Sequence, residues 1–112
     1  MKKLILLLAL LSAAQPASAH ARLVKSLPAA GSQTSHVDAV VLTFTEKLEA
    51  AFSGAQLVDA AEKPVAALVA IHGDTITFTT PGLKPGQYRV KWHSVGQDTH
   101  RMEGGFQFTV LP

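Results

Sequence analysis

Cysteine is absent from this 112-residue chain. Its absence excludes disulfides, thiolate nucleophiles, iron–sulfur clusters, cysteine-based zinc sites and the cysteine-ligated blue-copper centre. Methionine is almost as scarce, with two in the chain, Met1 and Met102. A Cu(I) site built on thioethers needs several methionines side by side, so this chain cannot assemble one. The usual hydrolytic signatures are missing as well: there is no G-x-S-x-G, no H-E-x-x-H and no obvious carboxylate pair. Long apolar runs are confined to Leu4–Ala14, broken only by Ser12. That run falls short of the roughly 20 residues needed to span a bilayer.

The short apolar run reads as part of an export signal. Lys2 and Lys3 precede it, Pro16 ends it, and Ala17 and Ala19 occupy the small-residue positions of an A-x-A cleavage site. Residues 1–19 are therefore expected to be a signal peptide, and 20–112 a single exported domain with no further membrane insertion. Cutting after Ala19 also changes the charge balance. Lys2 and Lys3 are two of ten basic residues, so eight remain against eight acidic ones. No basic cluster survives that would bind nucleic acid.

Beyond residue 20 the apolar pattern has period two. Val40, Leu42 and Phe44 alternate with Val41, Thr43 and Thr45; Ile76 and Phe78 lie among threonines. Tyr88, Val90 and Trp92 alternate with Arg89, Lys91 and His93, and Phe106, Phe108 and Val110 with Gln107 and Thr109. Each such run predicts a strand with one buried face. Weaker candidates are Ala21–Ser26, Ala55–Asp59 and Val65–Ile71, while Glu46–Phe52 fits a helical turn or an irregular crossover. Turn residues at short intervals complete an all-β pattern of about seven strands, a Greek-key sandwich or barrel.

The cut after Ala19 would leave His20 as the first residue. Its α-amine and its ring then lie side by side, and both lose a proton near neutrality, with reference pKa values of about 7.7–8.0 and about 6.5. Together the amine and Nδ1 close a six-membered chelate on a metal. Nitrogen donors in a roughly square arrangement favour Cu(II). Asp98-Thr99-His100 offers a carboxylate and a second imidazole, and in an extended segment the i, i+2 spacing puts both on one side. The same three residues also make an ordinary Asx turn with a surface histidine. Of the other histidines, His36 lies in a polar turn, His72 in a His-Gly-Asp hairpin, and His93 on the outward parity of its strand; all three read as surface residues. Glu46 at the end of the Phe44 strand is either a solvated strand end or a hydrogen-bond acceptor behind a ligand histidine.

The segments HARLVKSLPAAGS, VVLTFTEKL, FSGAQLV and LKPGQYRVKWHSVGQDTHRMEGGFQFTV resemble the CopC family of bacterial periplasmic copper-binding proteins. Most specific are the histidine at the cleavage point, the S-x-P-A-x-G turn (Ser26, Pro28, Ala29, Gly31) and the Y-x-V-x-W…D-x-H…G-x-F-x-F block. The resemblance implies a seven-stranded cupredoxin-like (Ig-like) Greek-key barrel with Cu(II) held by His20, Asp98 and His100, and Glu46 close by as a weak ligand or support. It implies a monomeric periplasmic protein, not an enzyme, that sequesters copper or passes it to a partner such as an inner-membrane transporter of the CopD type. The methionine-rich Cu(I) loop of many members is missing here, which points to the subgroup that takes Cu(II) only. Two other readings start from the same residues: a histidine-brace copper monooxygenase, and a metal-free β-sandwich accessory domain.

Overall fold

The computed structural model describes residues 20–112, so the expected signal segment and its cut lie outside the described residues. Eight strands follow one another: β1 (Leu23–Leu27), β2 (Gln33–Thr34), β3 (Ala39–Phe44), β4 (Gly54–Asp59), β5 (Leu68–His72), β6 (Thr75–Thr79), β7 (Gly86–Val95) and β8 (Arg101–Val110). They form two four-stranded sheets, in the orders β1-β3-β6-β5 and β2-β8-β7-β4. Neither sheet closes on itself. The architecture is thus an open β-sandwich of eight strands, which corrects the expected seven strands and the barrel alternative. The added strand is β2, two residues that pair in parallel with Thr109 and Val110 of β8. Among the described residues no helix is long and apolar enough to cross a membrane.

Period-two alternation places the core as the sequence requires. Val40, Leu42 and Phe44 of β3 are at most 2% exposed, and Tyr88, Val90 and Trp92 of β7 face them from the other sheet. Phe44 meets Trp92 edge-on with ring centroids 5.2 Å apart, while Tyr88 stacks on Phe108 at 5.6 Å. Such aromatic pairs add to the burial of large apolar area. Residues 45–53 form an irregular crossover from β3 to β4, and its turn is closed by the Phe52 amide donating to Glu49 at 3.0 Å. The helical alternative for Glu46–Phe52 is not realised.

Gly104 sits directly opposite Trp92 in the β7–β8 ladder. A Cβ added there would lie 2.7 Å from the indole Cε2 and closer still to Cζ2. The ring fills the space a side chain would need. Gly104→Ala is therefore expected to destabilise the fold by about 1–3 kcal/mol, the usual cost of overpacking. Urea unfolding followed by the fluorescence of Trp92, the single tryptophan of the chain, measures it directly.

Three elements of this frame meet at one end of the sandwich. They are the residues 20–22 that lead into β1, the end of β3, and the turn from β7 to β8. The sequence-derived candidates His20, Glu46, Asp98 and His100 all lie there.

Candidate metal centre

The β7–β8 connection runs from Gly96 to His100. Its backbone is turned rather than extended: the Thr99 amide donates to the Gly96 carbonyl at 3.1 Å, and Thr99 takes a positive φ of 64°. This corrects the expectation of an extended Asp-x-His segment. Asp98 does two jobs in the turn. Its Oδ1 accepts from the His100 amide at 3.2 Å, closing an Asx turn. Its Oδ2 faces two imidazoles, 3.0 Å from Nδ1 of His20 and 3.2 Å from Nδ1 of His100. The Asx turn and the convergence of His20 and His100 on Asp98 coexist in one structure that uses the two oxygens separately.

The two rings meet edge to face with centroids 4.8 Å apart. One donor atom from each of His20, Asp98 and His100 lies within 4.8 Å of the others, making a His/Asp/His cluster of the size a metal ion bridges. Partial burial is the largest single influence on Asp98 and pushes its pKa up. The amide and charge of His100, together with the hydrogen bond and charge of His20, outweigh it and hold the carboxyl below its ordinary range. An ionised carboxylate only accepts, so in the hydrogen bond between His20 and Asp98 the ring Nδ1 is the donor, while the His100 Nδ1 stands beside the same oxygen. In this form a proton between His20 and Asp98 occupies space that a cation would take over. The three side chains of the cluster differ in exposure: 21% for Asp98, 34% for His20 and 68% for His100. His100 is the solvent side of the cluster.

Glu46 stands behind the turn. Its Oε1 accepts from the Gln97 amide at 3.2 Å, one residue before Asp98. The other histidines stay apart from the cluster. His36 pairs with Asp38 at 3.6 Å, His72 is exposed in the β5–β6 hairpin, and the ring of His93 lies over Gly54, where an added Cβ would come within 2.9 Å of its Cε1.

Sequence reasoning missed two side chains that hold the segment carrying His20. Thr45 Oγ1 donates to the His20 carbonyl and accepts from the Arg22 amide, both at 3.0 Å. Ser94 Oγ, fully buried, donates to the carbonyl of Ala21. Their partners lie 23 to 73 residues away, so neither bond leaves a local signal.

The profile of the CopC domain matches residues 23–111. The chain belongs to the CopC family. It is 38% identical over 105 residues to copper resistance protein C of Pseudomonas syringae pv. tomato, covering 84% of this chain and 82% of the relative. It is 36% identical over 98 residues to protein YobA of Escherichia coli K12, covering 82% and 79%. Among solved structures it is similar to PcoC, a methionine-rich copper resistance protein from Escherichia coli. The TM-score is 0.74 at 35% identity, over 82% of this chain and 99% of that one. It is also similar to CopC from Methylosinus trichosporium OB3b, with TM-score 0.76 at 30% identity, over 83% and 95%. These relatives share the cupredoxin-like sandwich. The family match starts three residues after His20, so the place of His20 in the cluster rests on the geometry above.

Proposed function

We propose that this CopC-family protein is a periplasmic Cu(II) carrier whose metal is held at the sandwich end by the α-amine and Nδ1 of His20, Asp98 and Nδ1 of His100. The observation that carries the reading is the convergence of the two imidazoles on one carboxylate oxygen, at 3.0 and 3.2 Å. In the family reading the ion is cargo, so the protein acts as a binding protein and not as an enzyme. It sequesters copper or delivers it to a partner, for which an inner-membrane transporter of the CopD type is the candidate, and it works as a monomer.

The donor set supports Cu(II). Three nitrogens and a carboxylate oxygen suit a tetragonal ion, and no soft sulfur ligand belongs to the set. One relative is described as methionine-rich, whereas this chain has Met1 and Met102 alone. That contrast supports a Cu(II)-only member. Of the two candidate roles of Glu46, weak ligand or support, its bond from the Gln97 amide favours support. Signal cleavage completes the site: in the uncut chain the nitrogen of residue 20 is an amide and lacks the basic lone pair of an amine. The precursor therefore has three of the four donors and binds copper weakly.

Electron paramagnetic resonance on the chain beginning at His20 tests this reading. One equivalent of Cu(II) should give a single tetragonal signal with nitrogen hyperfine structure, and further copper should appear as a different, weaker species. A signal like that of loosely held copper at the first equivalent would remove the carrier reading.

A further inference from the structure

We infer that Thr45 is a positioning residue for copper, a hydroxyl clamp that holds the new N-terminus in its metal-binding place before the metal arrives. The inference rests on the carrier reading above and adds to it the means by which a chain terminus becomes a rigid ligand.

Chain termini are ordinarily the least ordered part of a domain. A terminal residue that must supply two donors to one ion would lose affinity to that disorder, because binding would first have to order it. Here the disorder is suppressed before binding. Ala21, directly after His20, is completely buried and belongs to the hydrophobic core. The backbone on either side of it is held by hydroxyls and amides from both sheets. Thr45 Oγ1 donates to the His20 carbonyl and accepts from the Arg22 amide, each at 3.0 Å, and the Thr45 amide donates to the Arg22 carbonyl at 2.8 Å. Ser94, across the sandwich on β7, donates to the Ala21 carbonyl. Carbonyls of three successive residues are thus fixed from two directions, and Cα of His20 has little freedom left. What remains free is the ring, whose Nδ1 already faces Asp98.

Thr45 and Ser94 differ in what their loss would do. Ser94 is fully buried, so removing its hydroxyl strands a buried carbonyl and weakens the fold itself. Thr45 is exposed, and water can replace its hydroxyl at both partners. Water satisfies those groups without holding them in place. Loss of the Thr45 hydroxyl therefore separates positioning from stability, and Thr45 is the residue to test.

The experiment compares the wild-type chain beginning at His20 with Thr45→Val, which keeps the shape and removes the hydroxyl, and with Thr45→Ser, which keeps the hydroxyl. Cu(II) affinity is measured by competition with a chelator, and the thermal midpoint of each metal-free protein is measured alongside. Hydrogen exchange at the Arg22 amide reports on the clamp without any metal. Thr45→Val should lose about tenfold or more in affinity, the scale of removing a group that orients a ligand. It should exchange the Arg22 amide faster and keep its thermal midpoint close to that of Thr45→Ser. Thr45→Ser should retain wild-type affinity. Wild-type affinity in Thr45→Val would overturn the inference while leaving the carrier reading intact. Equal losses in both variants would also overturn it, since the hydroxyl would then not be the cause. A wild-type chain that takes up no Cu(II) would overturn the carrier reading and this inference together.

Discussion

His100→Ala, made in the chain that begins at His20, is expected to lower Cu(II) affinity by about a hundredfold or more while leaving the fold intact. Removing a group that merely orients a ligand costs 10- to 100-fold, and removing the ligand itself should reach or exceed the top of that range. Stability should hardly change. The His100 side chain is 68% exposed, and its close contacts, Asp98 at 3.2 Å and the edge of the His20 ring, lie on the solvent side, where such pairs contribute little. The Asx turn survives, because it uses the His100 backbone amide and not the ring. Competition titration gives the affinity, and circular dichroism on heating gives the midpoint. Wild-type affinity in the variant would take His100 out of the ligand set. A collapse of the midpoint would mean that its ring does structural work the geometry does not reveal.

Phe44→Ala should have the opposite profile, a large loss of stability that bound copper partly restores. Phe44 is 2% exposed, packs edge-on against Trp92, and pairs with Leu23 of β1 in the ladder that leads back to His20. Truncating a buried phenylalanine to alanine costs about 3–5 kcal/mol. A domain of this size has roughly 5–15 kcal/mol in total, so about a fifth of the margin or more goes. Each kcal/mol shifts the midpoint by roughly 4–8 °C in domains of 60–100 residues, so the fall should exceed about 12 °C. Copper binds the folded state and should recover part of the loss: a free concentration a thousandfold above Kd contributes about 4 kcal/mol. Calorimetry with and without Cu(II) measures both effects. A midpoint that copper fails to raise would show that the ion does not distinguish the folded site from the unfolded chain.

The strands legible in the sequence were those whose alternation is enforced by burial. β3, β6, β7 and β8 each turn one apolar side into the same core, so period two and burial coincide at Leu42, Ile76, Val90 and Phe108. Legibility failed where pairing comes without burial. β2 is two residues, Gln33 and Thr34, in a turn-rich stretch, and only its parallel pairing with β8 makes it a strand. The candidate strand Val65–Ile71 splits for a similar reason. Its first part turns toward β4, through the Val58–Pro64 bridge and the Val65 amide on Leu57 at 2.8 Å, and only Leu68–His72 pairs with β6.

The site was legible in its donors and not in its supports. His20, Asp98 and His100 stood out because imidazole and carboxylate are the residue types that bind such an ion, and the structure brings these three together. The i, i+2 spacing at Asp98 fits an extended segment, whereas the positive φ of Thr99 makes it a turn. A single residue's φ leaves no periodic trace, and threonine is not a residue that announces it. Thr45 follows the outward parity just past the end of β3; its hydroxyl finds its backbone partners on the neighbouring segment that leads into β1, a pairing that only folding sets.

In the proposed site the amine created by cleavage before His20 would be a copper ligand, and this is the feature on which the carrier proposal turns. It is tested most directly by titrating Cu(II), against a competing chelator, into two forms of the mature chain: one with a free α-amine at His20, the other acetylated there. Acetylation removes the amine's charge and lone pair while leaving the imidazole of His20, Asp98 and His100 in place. Adding a residue in front would be a poorer comparison, because it would bring a new amine of its own. Acetylation should cost orders of magnitude in affinity and change the nitrogen hyperfine pattern. Equal affinity in the two forms would contradict it, and would leave a site made by Asp98 and the two imidazoles alone.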